Sequence, residues 1–146
     1  MMRRVVVLLP LLLVFSATTT ACGSDGHTIV VSDLRIPAPP SPDVANAYMT
    51  IRNTASESDT LLSATSDASQ SAEVHLTMHV GAQERMMPTG PLIIKSGRTL
   101  RLAPSDRHLM LNRLTRTLRV GDHVEVTLQF LHAGTIRLTV PVVAFS

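Results

Sequence analysis

The chain has 146 residues, of which 45% are hydrophobic and only 16% charged. That is too apolar and too lightly charged for a disordered chain, and the length suits one domain around a single core. The formal charge of +2 is supplied by Arg3 and Arg4 alone, so the rest of the chain is neutral and lacks the positive field that nucleic acid binding requires.

In chain order, residues 1–21 read as a secretory signal. Arg3 and Arg4 form its basic start, and residues 5–17, VVVLLPLLLVFSA, are an apolar run too short to span a bilayer as a helix. Small residues then lead to Ala21-Cys22-Gly23, which resembles a bacterial lipobox whose Cys is acylated and becomes the mature N-terminus. The alternative is an ordinary signal in which Cys22 is lost or left free. Either way the remainder is expected to work outside the cytoplasm, on the acylated reading anchored to the outer face of the cell membrane. Residues 22–28 are expected to be a tether and 29–146 a single domain. A lone Cys excludes an internal disulfide, a CxxC redox pair and a thiolate zinc cluster.

Beyond the tether, apolar and polar residues alternate in short runs with turn signals between them. Strands are predicted at Ile29–Arg35, Ala47–Asn53, Thr60–Ser66, Ala72–His79, Pro91–Lys95, Thr99–Leu102, Arg107–Asn112, His123–Leu131 and Thr135–Ala144. No segment after the signal keeps a helical period. Many short strands with frequent turns imply an all-β sandwich or barrel. The alternation assigns faces. Val74, Leu76 and Met78 share one side of their strand, and His75, Thr77 and His79 the other. Leu109 and Leu111 oppose His108 and Met110. Val124, Val126, Leu128 and Phe130 form an apolar face in the last hairpin.

Met is ordinarily core filler. Met49 and Met78 fit that role, being in phase with apolar neighbours. His108 and Met110 do not, since they are expected side by side on an outward, polar face. Thioether sulfur is soft and neutral, and imidazole is borderline, so the pair suits Cu(I) better than Zn(II), Mg(II) or Ca(II). A blue-copper redox site would need a thiolate, for which Cys22 is the sole source. A carrier site is therefore favoured. The enzyme signatures G-x-S-x-G and H-E-x-x-H do not occur, and no catalytic activity is expected.

The spacing His75-x10-Met86-x21-His108-x-Met110 resembles the metal motif of the periplasmic copper chaperones called PCu(A)C, also known as DUF461. Ala45-Asn-Ala-Tyr-Met-Thr-Ile-Arg-Asn, Ala72-Glu-Val-His, Met86-Met-Pro, His108-Leu-Met-Leu and Val120-Gly-Asp extend the resemblance over roughly residues 29–143. The resemblance implies a cupredoxin-like Greek-key β-sandwich and Cu(I) ligation by His75, Met86, His108 and Met110. It also implies delivery of copper to the CuA centre of cytochrome c oxidase, often beside a Sco-type chaperone. Met87 stands where the family usually has Arg, so Met86 and Met87 are interchangeable at this stage, and His79 is an alternate ligand on the His75 face. The competing expectation is a structural or interaction lipoprotein that keeps the fold without a metal.

Overall fold

The computed structural model describes residues 28–145, through which run ten strands. They are β1 (Ile29–Pro37), β2 (Val44–Asn53), β3 (Asp59–Ser66), β4 (Ser69–Val80), β5 (Gln83–Pro88), β6 (Leu92–Ile94), β7 (Thr99–Leu102), β8 (Arg107–Leu114), β9 (His123–Phe130) and β10 (Thr135–Val143). The all-β class read from the alternation is the class found. The signal, Cys22 and His27 lie outside the described residues.

Hydrogen-bonded neighbours follow the order β5-β4-β8-β2-β1-β10-β9-β3-β6, with β7 attached to β2. β3 also meets β4, at Ala64 opposite Ala72, and this closes β4, β8, β2, β1, β10, β9 and β3 into a ring. β1 and β10 pair in parallel, and the other pairs are antiparallel. Inside the ring sit Val124, Val126, Leu128 and Phe130 from β9, Leu109 and Leu111 from β8, and Met49 and Ile51 from β2, all buried. The faces predicted for β9 are those observed. Each such side chain contributes roughly 1.5–3 kcal/mol through burial.

Three expectations are corrected. The segment 83–88 was expected to lie between strands but forms β5, which pairs with β4 from His75 opposite Pro88 to Val80 opposite Gln83. Met78 was expected in the core but is 42% exposed. It is in phase with Val74, yet β4 pairs with β8 only through Leu76, so the end of β4 and the start of β5 project past the ring and Met78 is only partly covered. His108 was expected to face outward and is buried, with 2% exposure. The turn 103–106 lies against it, since the backbone carbonyl of Asp106 accepts from the ring.

Candidate metal centre

β8 lies between β4 and β2, and its inner face is fixed by Leu109 and Leu111. Burying those two turns His108 and Met110 to the opposite face. On β4 the same logic pairs Ala72 and Val74 against Glu73 and His75. The register then brings His75 directly opposite His108, and Glu73 opposite Met110. On the far side of β8, Asn46 of β2 is also opposite Met110.

The β4–β5 hairpin carries the motif's other thioether, with Met86 and Met87 both on β5. Its loop is Gly81-Ala82, and Gly81 has φ +64°. Gly in the first of two loop positions is a favoured hairpin closure because it accepts positive φ without a Cβ clash. This register sets Met86 opposite Thr77 and Met87 opposite Leu76. Opposed side chains share a face, so Met86 lies on the His75 side, diagonal to that ring, and Met87 on the other. His79 shares the His75 face, but four residues along a strand is about 13 Å. Its ring stands 3.6 Å from Glu84, and both side chains are largely in water.

The two rings have centroids 6.2 Å apart and tilt 42° from one another. A metal–imidazole bond of about 2 Å, added to the ring's own radius, puts each centroid about 3 Å from an ion. The centroid separation matches two such bonds to one ion. His108 Nδ1 donates to the Asp106 carbonyl at 3.2 Å, and His75 Nε2 lies 3.5 Å from Glu73 Oε2. The other two ring nitrogens, His108 Nε2 and His75 Nδ1, are buried and have no hydrogen-bond partner among the described residues. A buried polar atom left unpaired costs about 1–3 kcal/mol. The two lie on directly opposed residues. Met86 is 49% exposed and forms the open wall, whereas His108 is sealed.

Among the described residues no three His, Cys, Asp or Glu side chains gather to hold a metal ion. An ion held at this face would have to draw on the two imidazoles and on neighbouring thioethers. Sequence reasoning missed two residues of this face. Glu73 is one. Asn46 is the other, and its Oδ1 is buried without a partner. Alternation along β4 already puts Glu73 on the His75 face, whereas only the pairing register reveals Asn46, which is far from the motif in sequence.

A family model described as "Putative lipoprotein LpqE-like" matches residues 29–142. "Putative lipoprotein Lxx21020" from Leifsonia xyli subsp. xyli is 36% identical over 101 residues, covering 68% of this chain and 61% of the relative. The chain thus spans about three fifths of that relative's length. Among solved structures, the copper-bound PCuAC domain from PmoF2 superposes with a TM-score of 0.67 at 24% identity, covering 80% of this chain and 93% of that one. CuI-DR1885 from Deinococcus radiodurans superposes with a TM-score of 0.66 at 29% identity, covering 84% and 83%. These likenesses support the cupredoxin-like form of the all-β ring.

Proposed function

The chain belongs to the LpqE-like family, whose model spans nearly all of the described strands, and from that premise we propose that it is an extracytoplasmic carrier of Cu(I). The observation that carries the reading is the pair of unpartnered ring nitrogens on opposed His75 and His108. The proposed donors are His75, Met86, His108 and Met110. The register favours Met86 over Met87, and it leaves His79 in water. Two of the similar structures, one copper-bound and one carrying CuI, support copper as the cargo.

The mechanism proposed is ligand exchange. Two neutral imidazoles and two neutral thioethers leave a monovalent ion with a net charge of +1. A soft donor on a recipient, thiolate above all, gains more from that ion than a thioether does. Met86 is the exposed wall, so an incoming donor replaces it first, while His108 holds the ion from inside. The recipient proposed is the CuA centre of cytochrome c oxidase, with a Sco-type protein as partner. Cys22 is proposed as the acylated anchor, with residues 1–21 removed, residues 22–28 as tether and 29–146 as the carrier domain.

Anaerobic Cu(I) titration of the purified protein against a colorimetric chelator tests this reading. One ion per chain is expected, with sulfur and nitrogen in its first shell by X-ray absorption. His108→Ala and Met110→Ala should each weaken binding more than tenfold, about 1.4 kcal/mol or above. Met49→Leu, a volume-conserving core change, should leave it nearly unchanged. No Cu(I) uptake would favour a structural lipoprotein instead, and a shell of oxygen and nitrogen alone would overturn the donor assignment.

A further inference from the structure

What holds the second nitrogen of each ring decides which nitrogen is left for an ion, an inference that rests on the copper reading above. We propose that His75 binds copper through Nδ1 and His108 through Nε2, and that Glu73 and the backbone carbonyl of Asp106 are positioning groups that set these opposite tautomers before metal arrives.

A neutral imidazole has one N–H and one lone pair, and the partner of the N–H selects the nitrogen that can be metallated. A carbonyl oxygen only accepts. The 3.2 Å contact from His108 to Asp106 therefore places the proton on Nδ1 and the lone pair on Nε2. That carbonyl also accepts from Thr77 N of β4 at 3.2 Å. Its direction is fixed by a tight turn: Ala103 N donates to Arg107 O at 2.6 Å, Asp106 N donates to Ala103 O at 3.3 Å, and Ser105 sits at φ +59°. Swapping the His108 tautomer would break the ring's bond and bury an N–H without an acceptor.

His75 is arranged the other way round. Its Nε2 faces the Glu73 carboxylate, two residues earlier on the same face, and its Nδ1 is the buried, unpartnered atom. A carboxylate also accepts, so the proton belongs on Nε2. The His75 side chain is 13% exposed and that of Glu73 56%, so the carboxylate reaches in from water while the ring does not leave the sheet. A metal entering between the rings then meets two lone pairs and displaces no proton.

The test is long-range 1H–15N correlation of the ring nitrogens in the metal-free full chain, at a pH where the rings are neutral. His75 should show the Nε2–H tautomer and His108 the Nδ1–H tautomer, one species each. One equivalent of Cu(I), added anaerobically, should shift Nδ1 of His75 and Nε2 of His108. Glu73→Ala should turn His75 into a tautomer mixture and lower Cu(I) affinity about tenfold. It should leave the His108 tautomer and the melting temperature unchanged. Glu73→Gln, which keeps an acceptor oxygen, should restore the single tautomer. A purely structural Glu73 would move the melting temperature and leave the tautomer alone, which would overturn its role. Copper uptake on the other ring nitrogens would overturn the donor assignment while the copper reading stands. The stated tautomers without Cu(I) uptake would overturn the copper reading and the donor assignment with it.

Discussion

Asp59 begins β3 with its carboxylate out of water, 1% exposed. Burial raises its pKa. The backbone N–H groups of His132, Ala133 and Thr60 outweigh that effect and, with the His132 charge, hold the carboxyl below its ordinary value. The donors lie at 3.0, 2.8 and 2.7 Å. One side chain thus ties the start of β3 to the turn between β9 and β10. A folded-state value below the unfolded one means that this contribution is complete above the unfolded carboxylate value and is lost as pH falls through the folded one. Asp59→Asn should therefore destabilise the protein by about 1–3 kcal/mol at neutral pH in denaturant melts. The gap to the parent should close as the solution is acidified below the carboxylate range, and a gap constant with pH would refute the account. Asn53, at the same pole, shows the neutral counterpart. Its amide donates to Glu57 O and Ile94 O and accepts from Ala55 N, so it is buried with its groups paired.

The β4–β5 hairpin is the element on which sequence and structure differ most. Gly81→Val would force a β-branched residue into positive φ, at a cost of roughly 1–2 kcal/mol. The hairpin stands outside the ring, so its fraying should loosen Met86 and weaken Cu(I) binding several-fold while the melting temperature moves little. Equal loss of global stability would show that the hairpin belongs to the core. Alternation made β9 legible because one face is wholly buried and the other wet. It could not reveal β5, whose residues Gln83, Glu84, Arg85, Met86, Met87 and Pro88 are exposed on both faces. The Gly81-Ala82 loop was the available signal. Periodicity told which way Met78 and His108 face, but not what covers them. Met78 runs past the ring, and His108 is covered by the turn 103–106 that leads into its own strand. The four motif residues were legible from spacing. The proposed preference for Met86 over Met87 rests on the β4–β5 register, which spacing does not supply.

At the scale of the whole molecule the two poles differ. β1 meets β2 at Ile29 opposite Asn53, whereas β8 meets it at Asn46 opposite Met110. Seven residues along β2 separate these points, about 23 Å of strand. Thr28 therefore enters at the pole away from the His/Met face, with its carbonyl held by Thr54 N. Among the described residues no helix is long and apolar enough to cross a membrane. Cys22→Ser should release the protein from the membrane fraction or block its processing, and unchanged retention with normal maturation would refute the anchor. The ring itself is closed by a single pair, Ala64 opposite Ala72. Hollows flank that pair, one lined by Leu62 and Val74, the other by Ser66 and Gln70. Parting β3 from β4 leaves the β4–β8 and β3–β9 ladders whole, so it is a local opening far below the cost of unfolding. Amide protons along this seam should exchange with solvent sooner than those of β9 or β10. β4 would then loosen around Ala72 alone, because from His75 onward that edge stays paired with β5 while the other edge stays fastened to β8.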